Sequence, residues 1–150
     1  MTVTRANIET ILVQRCGALM SFAGMATTSA GKNASLNDPI GYALRQTGYT
    51  VGNVAIVADS DLTTLDVDDL DQILDVAEYR TLENVGGNLD DVDITNGPES
   101  ERFSQLSTAL EKRMTRLEQR ITDLYGIASL PETGSVTFDF AEHDDSDIQT

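Results

Sequence analysis

Ile8, Leu12, Cys16, Leu19 and Ala23 recur three and four residues apart, the spacing that gathers side chains on one face of an α-helix. A helix beginning near Thr4 or Asn7 is therefore predicted, although Glu9, Gln14 and Arg15 interrupt its apolar residues. It fades into GMATTSAGKNASLN, residues 24–37, a small and polar stretch whose composition predicts a flexible loop. Asp38-Pro39 marks a second helix, with Asp38 as cap and Pro39 in the first turn, and Gly48 marks its end. The apolar run VGNVAIVAD, residues 51–59, fits either a buried strand or a connecting segment, and periodicity does not choose between them. A third helix opens in the acidic DVDDLD, which suits the positive end of a helix dipole. Val67, Leu70, Leu74, Ala77, Leu82 and Val85 form its apolar stripe, and Gly86-Gly87 predicts its end.

The clearest element is NGPESERFSQLSTALEKRMTRLEQRITDLYG. Asn96-Gly97-Pro98 opens it and Gly126 closes it, giving a helix of about 40 Å at roughly 1.5 Å per residue. Phe103, Leu106, Leu110, Met114, Leu117, Ile121 and Leu124 are spaced as a heptad seam for subunit or helix packing. Such a seam needs a partner, either the preceding helix of the same chain or a neighbouring subunit. Beyond Gly126, Val136, Phe138 and Phe140 alternate with polar residues, the period of a strand with one buried face. Three such residues do not make a sheet alone, so a docking arm that adds a strand to a partner's sheet edge is predicted. The fold class is thus mainly α. A small helical bundle over residues 1–127 carries one long C-terminal helix and an extended loop at 24–37, and residues 128–150 form an extended acidic arm.

Charge changes this picture. The chain has 25 acidic and 10 basic residues, a net charge of −15. Half the positive charge, Arg102, Lys112, Arg113, Arg116 and Arg120, falls on the long helix within an arc of roughly 100°, beside the apolar seam. Residues 99–125 are neutral, so the remainder carries all of the excess acid. This asymmetry predicts a basic stripe facing an acidic surface, the alternative being a solvated face with local ion pairs. General nucleic-acid binding is disfavoured by the overall repulsion from phosphate. Asp outnumbers Glu and Arg outnumbers Lys. High acidic charge resists association while concentrated salt screens self-repulsion, a balance that suits a halophilic source. A single cysteine excludes an internal disulfide framework.

Candidate chemistry is sparse. Leu130-Pro131-Glu132-Thr133-Gly134 matches the sortase motif LPxTG, but SVTFDFAEHDDSDIQT follows it where an apolar span and basic stop belong. A turn is the simpler reading. The N-terminal segment does not read as a secretory signal, and no run reaches the length of a membrane helix. Gly31-Lys32 lacks the spacing and the following Ser or Thr of a phosphate loop. Neither DSDLTTLDVDDL nor DDVDITNGPESE has the glycine at position six of an EF-hand loop with the right acids around it. The lone histidine, His143, stands in the acidic tail, so neither a His-based triad nor a Cys/His metal cluster can be assembled. No cofactor, metal or catalytic residue is predicted.

GYALRQTGYTVGNVAIVADSDLTTLDVDDLDQILDVAEYRTLENV, followed by GPESERFSQLSTALEKRMTRLEQRITDLYG, resembles the helical head-to-tail connector, or adaptor, proteins of tailed viruses. The likeness is one of length and layout over residues 37–126. It implies a homo-oligomeric ring, usually a dodecamer, docked under the portal protein in the virion neck and assembled in the host cytoplasm. It further implies neck or tail proteins as partners, and a channel through which DNA passes without sequence-specific binding. No membrane role and no catalytic residue are implied. Other readings are a capsid-decorating or neck component, and an acidic coiled-coil regulatory or chaperone-like protein.

Overall fold

The computed structural model describes residues 2–53, 55–90 and 98–126. Helices α1 (Arg5–Phe22), α2 (Asn37–Gln46), α3 (Leu70–Asp90) and α4 (Pro98–Tyr125) pack together, with short 3-10 turns at Ala34–Leu36, Asp59–Leu62 and Val67–Asp69. No strand occurs among the described residues. Residues 51–53 and 55–58 are therefore a connecting segment, which buries Val57 and leaves Ile56 exposed. The docking-arm residues Val136, Phe138 and Phe140 lie outside the described residues, as does the LPETG segment.

Helix α3 is the hub. Residues Ile73 through Tyr79 are buried without a break, so both the polar and the apolar sides of this stretch face protein. α1, α2 and α4 each pack on it. Ile8, Leu12, Cys16 and Met20 of α1, Ile40, Ala43 and Leu44 of α2, and Leu110, Leu117 and Ile121 of α4 share one core with Ile73, Ala77, Leu82 and Val85 of α3.

Local signals explain most boundaries. Thr4 caps α1: its hydroxyl accepts from the Asn7 amide, and the Asn7 side chain accepts from the Thr4 amide. Gly48, at φ +91°, ends α2 in a left-handed turn, with the Tyr49 amide bonded back to the Leu44 carbonyl at 2.9 Å. Gly126, at φ +90°, does the same for α4.

Two boundaries differ from the sequence reading. α2 begins directly from the Ala34–Leu36 turn, so Asp38 lies inside its first turn and is free to bind α3 instead. Its carboxylate accepts from Arg80 Nε at 2.9 Å and from Asn84 Nδ2 at 3.0 Å, while the Arg80 guanidinium lies 4.7 Å from the Tyr42 ring centre. Partial burial raises the Asp38 pKa, but these hydrogen bonds and the charges of Arg80 and Arg45 outweigh it and leave the carboxyl below its ordinary value. Helix α3 also runs through Gly86-Gly87 to Asp90. Both glycines keep ordinary helical backbone, Gly86 lies against Leu110 of α4, and buried Leu89 extends the stripe beyond them.

The loop at 24–37 is organised from α1. Arg5 and Glu9 occupy the buried stripe of that helix one turn apart, with Arg5 Nε 2.7 Å from Glu9 Oε2. Glu9 also accepts the backbone amides of Gly31 at 2.7 Å and Asn33 at 3.0 Å. Arg5 donates to the Asn33 and Val57 carbonyls and to the Asn37 side chain, and its own amide donates to Asp59. Asn33 in turn donates to the carbonyls of Ala26 and Thr28. Where composition predicts a flexible loop, one buried ion pair thus gathers four stretches of chain. A buried pair is tolerated when its remaining hydrogen-bonding positions are filled, and no buried side-chain nitrogen or oxygen among the described residues lacks a partner.

Candidate functional site

Helix α4 is amphipathic over its whole length, and the side it turns inward decides what its outer side can do. Of the seam, Leu110, Leu117 and Ile121 are buried, and Phe103 and Met114 are partly buried against the core. Leu106 is half-buried and Leu124 is 61% exposed, so the two lie at the margins. The partner of the seam's centre is α3 of the same chain.

The basic stripe divides in the same manner. Asp75 and Glu78 of α3 are buried at 1% and 7% exposure, and cations reach them from two helices. Arg15 of α1 lies 3.2 Å from Asp75 and 3.6 Å from Glu78. Arg113 of α4 lies 3.6 Å from Glu78 and also donates to the Arg15 carbonyl. Arg120 Nε lies 3.3 Å from Asp75, and the Tyr125 hydroxyl donates to the same carboxylate at 3.0 Å. Burial, then this bond to Asp75, raises the Tyr125 pKa above its ordinary value. Arg113 and Arg120 thus find carboxylate partners on α3 of the same chain. Sequence reasoning missed Asp75 and Glu78; their signal is position, because they sit among Ile73, Leu74, Val76 and Ala77 and cannot all face water on a helix that packs on three others.

Arg102, Lys112 and Arg116 are left outside this network. All three are exposed and have no ion-pair partner among the described residues. Beside Lys112, the residues Ser104, Gln105, Thr108 and Ala109 line an open depression of about 320 Å³. It is too open and too poor in ionisable groups to serve as a catalytic pocket.

The carboxylates between Asp59 and Asp71 behave differently from those of α3. Asp59 accepts the Arg5 amide, Asp61 those of Gly52 and Ala58, Asp66 that of Asp68, and Asp69 the Tyr49 hydroxyl. Asp68 and Asp71 are exposed and stand beside Val67, itself 60% exposed. No cation faces this corner in any ion pair among the described residues.

Other chemistry read from the sequence can be placed. The Gly31 amide, which a phosphate loop would aim at an anion, is occupied by Glu9. Among the described residues no group of three or more His, Cys, Asp and Glu is placed to hold a metal ion, and no helix is long and apolar enough to cross a membrane. Cys16 is 1% exposed, and burial, with the neighbouring Glu78 charge, pushes its thiol up to about 12. Such a thiol is inert at neutral pH. The chain matches no family model, no curated protein and no solved structure.

Proposed function

We propose that this chain is a non-catalytic structural virion subunit, a head-to-tail adaptor of a tailed virus that assembles as a ring joining the portal to the neck and tail. The observation that carries this reading is the exposed cationic side of α4, Arg102, Lys112 and Arg116, on a molecule of net charge −15. A patch of exposed basic side chains on a molecule of net acidic charge gives copies of the same chain two unlike surfaces to join. Head-to-tail contacts of that kind close into rings when the rotation allows. The helical body and the layout of residues 37–126 agree with the adaptor resemblance. In a ring whose channel wall is acidic, repulsion from phosphate lets DNA pass without binding.

The test is the native mass of the purified chain at high salt, with and without a co-expressed portal protein from the same virus. A discrete closed ring, formed alone or on the portal, is the expected result. A monomer or dimer indifferent to the portal would overturn the adaptor reading and favour an acidic regulatory protein.

A further inference from the structure

Exposed cations of α4 and exposed carboxylates at the entry to α3 take part in no ion pair among the described residues. We propose that the outward face of α4, around Lys112 and Arg116, docks the Asp68–Asp71 corner of a second copy of this chain. The inference rests on the reading of the chain as a self-assembling subunit and names the surfaces involved.

Three observations converge on it. The first is selection. Arg113 pairs with Glu78 and Arg120, though 56% exposed, pairs with Asp75, whereas the exposed Lys112 and Arg116 have no ion pair among the described residues. The second is spacing. Lys112 and Arg116 are one helical turn apart, about 6 Å between their Cβ atoms, and Asp68 and Asp71 stand three residues apart across the junction of the Val67–Asp69 turn and α3. The third is shape. Val67 stands out from the acidic corner at 60% exposure, and the open depression beside Lys112, lined by Ser104, Gln105, Thr108 and Ala109, offers it a seat. A side chain seated there keeps water from the adjacent charge pairs and fixes their register. Because the two faces differ, each subunit offers one to the neighbour before it and one to the neighbour after it.

Charge reversal tests this with an internal control. Lys112→Glu/Arg116→Glu takes the net charge from −15 to −19, and Asp68→Lys/Asp71→Lys takes it from −15 to −11, two units per reversal. If net charge alone governed association, the second variant would assemble better than the parent chain. The docking contact predicts the opposite: each variant alone associates at least about tenfold more weakly, a change of ~1.4 kcal/mol. An equimolar mixture of the two recovers association, because each supplies the face that the other lacks. The loss is larger near 0.1 M salt than near 1 M, where the screening length drops from about 10 Å to about 3 Å. Association is read by sedimentation equilibrium, and by copies retained on the portal where that is needed to form the ring. Circular dichroism and the milder Asp68→Asn/Asp71→Asn variant, expected to weaken association without reversing it, separate a lost contact from a lost fold.

Parent-like association of either variant, tighter association of the lysine variant, or a mixture that stays dissociated would each overturn the contact. If the parent chain still forms a ring, the adaptor reading survives that failure. A parent chain that associates neither with itself nor with the portal would overturn both.

Discussion

Replacing Glu9 by Gln removes one charge and almost no volume, so it isolates what the buried carboxylate does. Glu9 accepts three hydrogen bonds: from Gly31 N at 2.7 Å on one oxygen, and from Asn33 N at 3.0 Å and Arg5 Nε at 2.7 Å on the other. A glutamine has one acceptor oxygen. Its less damaging orientation keeps Asn33 and Arg5 and turns its NH₂ toward the Gly31 amide, donor against donor. Leaving one buried group unsatisfied costs about 1–3 kcal/mol. Removing one partner of a buried ion pair costs about 3–5 kcal/mol. Arg5 retains the Asn33 and Val57 carbonyls, which holds the total near the lower end, about 3 kcal/mol. For a chain of this length that lowers Tm by about 6–12 °C. Urea denaturation followed by circular dichroism should show a lower midpoint with an unchanged slope, since the surface exposed on unfolding is the same. Amide hydrogen exchange at Gly31 and Asn33 should rise with it, because the loop loses its anchor. Glu118→Gln, on the exposed side of α4, is the control and should stay within about 0.5 kcal/mol. If Glu9→Gln is equally silent and the Gly31 amide stays protected, the ion pair does not organise the loop.

Gly87 lies within α3 with open space where a Cβ would go. Gly87→Ala should therefore stabilise the protein by about 0.5–1 kcal/mol in urea unfolding; a loss of stability would mean that the glycine terminates the helix. At alkaline pH the buried tyrosines set a limit. Burial, with Glu118 and Glu83 nearby, pushes the Tyr79 hydroxyl up to about 12, and Tyr125 is raised as well. The unfolded chain ionises first, so the stability these residues contribute is complete below pH 10 and is lost as pH rises toward 12. Thermal unfolding should show that decline, and Tyr79→Phe should reduce it.

The helices were largely legible because their punctuation is local. Thr4 with Asn7, Gly48, and the Pro98 to Gly126 frame each act within one turn of the boundary they set. What the sequence concealed depends on contacts between distant segments. Glu9 reads as a polar interruption of an apolar face, yet Glu9 and Arg5 lie on the same stripe as Leu12 and Cys16, and their partners in other segments are 22 to 54 residues away. The end of α3 was misread because a glycine pair stops a helix only where no neighbour rewards its continuation, and here Leu110 and Leu89 do so. The stripe on α4 was visible as a pattern of charge. Which of its members find ion-pair partners within the chain was not, since that depends on Asp75 and Glu78 of another helix.

The single thiol gives this architecture a clock. Cys16 Sγ lies 3.9 Å from the Arg113 guanidinium, which also donates to the Arg15 carbonyl and so ties α4 to α1. The thiol is buried in the core that α1 shares with its neighbours, so a reagent reaches it only when that core opens. Its labelling rate therefore counts local openings around α1, while circular dichroism counts loss of the helices themselves. Labelling that outpaces the loss of helix would reveal the core opening while the helices are still formed. A chain that opens in that way exchanges core contacts without unfolding first.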